Sequence, residues 1–263
     1  MTFSMNHLGN NGSLGNQMFQ YAFLKSMSVK HNVPFCIPPT EVFGKHYYQK
    51  LFSNIDECFD IKCPRRLVDS VSVIEKHFHF DQDMYENPPG KDVNYYGFFQ
   101  TEKYFKDISD ELRNNDFKFN DNIVEDCESI VSEYKDSISL HIRRNDYLTN
   151  GNHPVQSIEY YSSALSKMPK ELTVLVFSDD PEWCKNQELF SKDRFLISET
   201  NNPYFDLYIM TKCKYHIIAN SSYSWWGAWL ANSRNVIAPK IWFSGDIASN
   251  DTKDLYLKHW EVI

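Results

Sequence analysis

An α/β protein whose C-terminal part is a doubly wound parallel sheet is what this sequence predicts, on three observations. From Ser137 onward short apolar runs alternate with amphipathic stretches, the rhythm of strand, crossover helix and parallel strand. Each run is too short for a buried helix and is rich in Val, Ile, Leu and Phe. A polar stretch, "NNDFKFNDN" (114–122), separates this regular part from a less regular first half, so two unequal α/β lobes joined near residue 120 are expected.

In order, the first half reads as follows. "MTFSMNHL" offers Phe3, Met5 and Leu8 as a poorly marked first strand before the turn "GNNG". "GNQMFQYAFLKSMSVKH" (15–31) is a helix, "VPFCIP" (33–38) a strand, and "SVIEKHFHF" (72–80) and "VNYYGFF" (93–99) two more. "TEKYFKDISDELR" (101–113) is a helix with Thr101 and Glu102 suited to its N-terminal end. The second half supplies strands at 137–144, 172–179, 194–198, 216–220 and 235–239. Helices at 157–168, 181–189, 203–213 and 222–232 alternate with them. The lobes are therefore 1–120 and 121–245, followed by a tail, 246–263, that packs back on the first lobe.

Composition narrows the function. A net charge of −8 argues against nucleic acid as the partner, since a phosphate polymer calls for a basic surface; any anion must be gripped locally. Cys36, Cys58, Cys63, Cys127, Cys184 and Cys213 form no CxxC pair and no zinc spacing, the pattern of free thiols in a reducing compartment. The N-terminal residues lack the basic and apolar regions of a leader, and no run reaches the ~18 apolar residues of a membrane span. A cytoplasmic location follows, one that admits peripheral membrane contact. His77 and His79 fall on one face of the 72–80 strand without a carboxylate-rich third element, so no metal is expected. Trp225 with Trp229, and Trp226 with Leu230, are spaced i, i+4 on a helix and read as core.

Ligands of an open parallel sheet bind outside the carboxyl ends of its strands. The first strand of the second half delivers His141, Arg143, Arg144 and Asp146 there, the second delivers Asp179 and Asp180, and the fourth delivers Ser221, Ser222 and Ser224. Alone, paired arginines are ordinary salt-bridged surface, and "SDDP" is a helix N-cap followed by proline. Together, two planar guanidinium forks and a helix N-terminus after Ser221 or Ser222 suit a pyrophosphate. Asp206 lies near the start of the 203–213 helix, where a carboxylate meets the helix dipole favourably.

Five stretches, "GSLGNQMFQYA" (12–22), "GFFQTEKYF" (97–105), "HIRRNDY" (141–147), "FSDDPEWC" (177–184) and "DLYIMTKCKYHIIANSSYSWWGAWL" (206–230), make the chain resemble glycosyltransferase family 11, the α-1,2-fucosyltransferases, almost end to end. The resemblance implies a GT-B-like fold of two facing Rossmann-like lobes, with the donor on the C-terminal lobe and the acceptor on the N-terminal one. It implies inverting transfer of L-fucose from GDP-β-L-fucose to the 2-hydroxyl of a terminal β-galactoside, in an oligosaccharide or lipid-linked glycan, without cofactor or essential metal. Another linkage, another GDP-deoxysugar, or a binding protein without turnover are the alternatives. By position, Arg143 holds the β-phosphate and is catalytic with Asp146. Asn16, Gln17, His141, Arg144, Asp179, Asp180, Asp206, Ser221 and Ser222 join Arg143 in binding the donor.

Two positions depart from the family pattern. Ser13 replaces a second glycine in the N-terminal motif, and Asn145 replaces the glycine after the arginines, in a turn whose positive φ asparagine tolerates. The general base stays open among His153, Asp146, Glu102 and a phosphate oxygen, because no carboxylate lies between Asp146 and Glu159.

Overall fold

The computed structural model describes residues 1–10, 12–39 and 54–263. The chain divides into two compact units, Met1–Asn120 with Asp251–Leu257, and Asp121–Asn250 with Lys258–Ile263. The expected tail is therefore shared, residues 251–257 belonging to the first unit and 258–263 to the second.

In the first unit, β1 (Phe3–Ser4) leads through a glycine-rich turn, of which Asn11 lies outside the described residues, into α1 (Leu14–His31). There follow β2 (Phe35–Cys36), α2 (Asn54–Cys58), β3 (Val71–Ile74), α3 (Gln82–Glu86), β4 (Val93–Tyr96) and the single turn α4 (Ser109–Glu111). Among the described residues these strands form one parallel sheet in the order β2-β1-β4-β3. The weakly marked N-terminus is thus a central strand, and Phe3, Met5 and Leu8 are all buried. Its shortness hides it from periodicity, because two residues cannot show an alternation. α1 is buried on most of its surface, so its polar residues need partners: Gln17 Oε1 accepts from Ile55 N (3.1 Å), and Gln20 Nε2 donates to Gly97 O (2.9 Å). Asn32 ends the helix in the left-handed region at φ 51°.

Three expectations for this unit are corrected. The strand expected over 72–80 stops at Ile74, and the rings of His77 and His79 stack on each other at 5.0 Å instead of lining a strand face. Residues 101–113 form no continuous helix; two 3₁₀ turns, Glu102–Tyr104 and Lys106–Ile108, precede α4 and a π turn over Leu112–Asp116. Tyr104, Phe105, Ile108 and Leu112 are all buried there, so packing of an apolar-rich segment decides the backbone path. The polar stretch 114–122 holds the boundary between the units, after Asn120 as expected, but its first part is not a free linker, since Phe117 and Phe119 pack on Phe59 with ring centroids 5.1 Å and 4.8 Å away.

The second unit starts with α5 (Asp121–Glu133) and continues β5 (Ile138–Ile142), α6 (Ile158–Ser166), β6 (Val174–Ser178), α7 (Pro181–Lys185), β7 (Phe195–Ile197), α8 (Pro203–Lys212), β8 (Tyr215–Ile217), α9 (Ser222–Leu230), β9 (Asn235–Ala238) and β10 (Glu261–Val262). Its described strands are all parallel, in the order β10-β9-β8-β5-β6-β7. The order runs outward from β5 in both directions, so the sheet is doubly wound and its switch point lies between β5 and β8. Ile138, Leu140, Ile142, Val174, Val176, Ile217 and Ile237 fill the core with Tyr161 and Phe190. Trp225, Trp226 and Trp229 are buried in α9, with Trp225 and Trp229 near parallel at 6.3 Å, which is the packing role their spacing indicates. Among the described residues no helix is long and apolar enough to cross a membrane.

Candidate active site

Strand register assembles the cluster. Ile142 is paired with Ser178, so the residues that follow each, Arg143–Arg144 and Asp179–Asp180, leave the sheet side by side. Asp179 ties the arginine turn together. Its Oδ1 accepts from Arg144 N (2.8 Å), and its Oδ2 accepts from Asn145 N (3.1 Å) and pairs with Arg143 Nη1 (3.0 Å). The Asn145 amide donates back to the Asp179 carbonyl. Asp180 combines two tasks, because its Oδ1 caps α7 at Trp183 N (3.1 Å) while its Oδ2 pairs with Arg144 Nε (3.1 Å). The Arg144 guanidinium lies over the Trp183 ring, 4.1 Å from its centre, a cation–π contact. Arg143 meets Asp146 Oδ1 at 2.7 Å and lies 5.6 Å from the Tyr147 ring, whose hydroxyl donates to Asn220 O (3.0 Å).

Asn145 takes a right-handed conformation, φ −43° and ψ −69°, so the expected positive-φ turn is absent and the missing glycine costs nothing. Ser13 likewise sits at φ −82°, in extended backbone open to any residue. The demanding position is Gly12, at φ +92°, where an added Cβ would lie 2.0 Å from Asn16 Nδ2.

Around this cluster the other expected residues fall into separate surroundings. His141, the penultimate residue of β5, is almost fully buried, with its ring 5.3 Å from that of Tyr223 and no hydrogen-bond partner for Nδ1 among the described residues. Burial, reinforced by Arg143, pushes its pKa down to about 3, so the ring is neutral near pH 7. Ser221 is buried as the N-cap of α9 across the β5/β8 switch point, its side chain making no cap hydrogen bond; Ser222 is half-buried as the first helical residue. Asp206, in the first turn of α8, accepts at Oδ1 from Ser198 Oγ (2.6 Å) and Thr200 Oγ1 (2.7 Å). Burial raises its pKa and the two hydroxyls draw it back. Among the base candidates, His153 stacks on Tyr147 at 5.1 Å, and burial lowers its pKa. Glu102 and the motif residues Asn16 and Gln17 belong to the first unit, where Asn16 Oδ1 accepts from Gln100 Nε2 (2.7 Å).

Reading residues by strand end missed Trp183, Tyr147, Ser198 and Thr200. Trp183 and Tyr147 were within quoted motifs, and an aromatic ring three residues beyond an N-cap was the available signal for Trp183. Nothing in the local pattern marks Ser198 and Thr200, because their link to Asp206 arises from the approach of the β7–α8 connection.

The family model for glycosyl transferase family 11 matches residues 2–263. The chain belongs to this family. An α-1,2-colitosyltransferase of Escherichia coli is 35% identical to this family 11 chain, across 88% of it and 90% of the relative. Galactoside alpha-(1,2)-fucosyltransferase 2 of Bos taurus is 22% identical, across 86% of this chain and 68% of the relative. Among solved structures, the fucosyltransferase NodZ from Bradyrhizobium superposes with a TM-score of 0.59 at 14% identity, covering 93% of this chain and 96% of that one. That likeness is one of fold, and the glycosyltransferase is GT-B-like with a parallel α/β sheet in each unit.

Proposed function

We propose that this glycosyltransferase moves L-fucose from GDP-β-L-fucose, with inversion, to the 2-hydroxyl of a terminal β-galactoside in an oligosaccharide or lipid-linked glycan. The observation that carries the proposal is the pair of guanidinium groups beside the switch point of a parallel sheet, braced from behind by Asp179 and Asp180. Cleavage of the anomeric C–O bond builds negative charge on the departing β-phosphate while the sugar becomes oxocarbenium-like. Fixed positive charge at that oxygen therefore favours the transition state over the ground state. Arg143 is assigned that task, and Asp146, bound to its Nη2, is assigned to aim it. Guanidinium suits it better than ammonium, because its fork meets two phosphate oxygens and keeps its charge. Ser221 and Ser222, at the positive end of α9, are assigned to the diphosphate, His141 and Asp206 to the guanine, and Asn16 and Gln17 complete the donor set. Asp179 and Asp180, whose oxygens already hold the arginine turn, act on the donor through the arginines. With the arginines supplying positive charge, the reaction needs no metal, and activity should survive excess EDTA.

A second reading, transfer of colitose from its GDP-activated form, is supported by the 35% identity to a colitosyltransferase. Both are tested by GDP release from each donor with and without lactose. Lactose-dependent release from GDP-fucose, giving a product cleaved by an α-1,2-specific fucosidase, supports the first. Release from the colitosyl donor alone supports the second, and release from neither, with intact GDP binding, refutes catalysis.

A further inference from the structure

In the first unit, a second built feature stands at the carboxyl ends of β3 and β4. Glu75, next after β3, accepts from two successive backbone groups, Phe98 N at Oε2 (2.7 Å) and Phe99 N at Oε1 (3.0 Å). Gly97 makes the approach workable, because a Cβ there would lie 2.4 Å from that of Glu75. Gln20 holds the Gly97 carbonyl, and Thr101 N donates to Phe99 O (2.8 Å). Phe99 takes a positive φ of 54°, unusual for a bulky residue, and its buried ring stacks on Phe23 at 3.8 Å with 6° between planes. A strained backbone and a largely desolvated carboxylate are both costly, and such strain persists where the surroundings over-determine it, characteristically at functional sites.

What this turn delivers to solvent is the Phe98 ring, 38% exposed. Beside it the last paired residues of the two strands, Ile74 and Tyr96, are also exposed, and His7 meets Tyr96 edge-on at 5.2 Å. The unit's own packing does not use the Phe98 ring as it uses Phe99. The charged group bonded to the turn is a carboxylate, which disfavours a phosphate or nucleotide. A pyranose fits, because its C–H face packs on an aromatic ring while its hydroxyls remain in water.

We infer that Phe98 is the stacking platform for the pyranose ring of the acceptor, and that Glu75 is the positioning residue that holds it there. This rests on the glycosyltransferase reading for the identity of the sugar. Phe98→Ala should raise the KM for lactose about tenfold while leaving the donor KM and the melting temperature unchanged. Phe98→Tyr should restore the wild-type value. Glu75→Gln puts an amide N–H against a backbone N–H and should raise the lactose KM severalfold, yet add nothing in the Phe98→Ala background. Saturation transfer from protein to lactose in the presence of GDP reads the platform without turnover. Wild-type protein that gives a signal, lost in Phe98→Ala, supports it even if no transfer occurs, in which case the glycosyltransferase reading alone fails. The inference is overturned if wild type binds no lactose, if Phe98→Ala leaves lactose KM and signal unchanged, or if lactose and donor KM rise together.

Discussion

Asp179→Asn should separate the bracing of the arginine turn from direct contact with a ligand. Asp179 accepts from one backbone N–H at Oδ1, and from a second backbone N–H and a guanidinium at Oδ2. With the amide oxygen kept toward Arg144 N, the new NH₂ faces Asn145 N–H and Arg143 Nη1, two donors where an acceptor is required. The bonds lost both end on the carboxylate and are both charge-assisted, worth ~1.5–3 kcal/mol each. Their sum is an upper bound. The carboxylate side chain is 18% exposed, so water replaces part of each bond, and Arg143 keeps its contact with Asp146. A stability loss of ~1–2 kcal/mol is expected, read by urea denaturation. Removing an oxyanion-type donor altogether costs ~2.7–4 kcal/mol of transition-state stabilisation. A guanidinium left in place but freed from one brace should forfeit about half of that, a ~10- to 30-fold drop in kcat/KM. Retention of more than half the wild-type kcat/KM in a folded Asp179→Asn protein would refute the bracing role.

Three further outcomes follow from the same geometry. Asp206→Asn keeps one acceptor for Ser198 and Thr200, so its melting temperature should fall little while GDP affinity drops at least tenfold by calorimetry; Asp206→Ala should lower both, and unchanged GDP affinity in either removes Asp206 from the base site. Gly12→Ala should destabilise the first unit by ~1–3 kcal/mol, since it combines a positive φ with a Cβ 2.0 Å from Asn16 Nδ2; an unchanged melting curve would show that the turn adopts another conformation. Acid should destabilise the protein below pH 6.5: burial pushes His141 down to about 3 and His216 to about 4, so the unfolded chain binds their protons first, at ~1.4 kcal/mol per pH unit for each. Glu75, pushed up to about 7 by burial, opposes one of them between pH 4.5 and 7, because there the folded state holds the extra proton. Melting curves from pH 7 to 5 should show the net loss, and His216→Gln should remove about one proton's slope; a flat profile in wild type refutes the assignment.

The α/β class and the second unit's strands from 137 to 239 were legible along the chain, because parallel strands buried on both faces leave apolar runs and crossover helices leave amphipathic ones. The motif residues were legible as chemistry of the right kind at strand ends. Strand order and register were not, since hydrogen bonding between distant segments leaves no local periodicity. It is the pairing of Ile142 with Ser178 that sets Arg143 and Arg144 against Asp179 and Asp180, and the reversal at β5 that places Ser221 across from them. The same limit left the two-residue strand β1 only weakly marked and hid β10 and the use of Glu75 on a turn 23 residues away. In 101–113 a helical pattern yielded to the burial of Tyr104, Phe105, Ile108 and Leu112, a contest between propensity and packing that is decided only when the rest of the unit is in place.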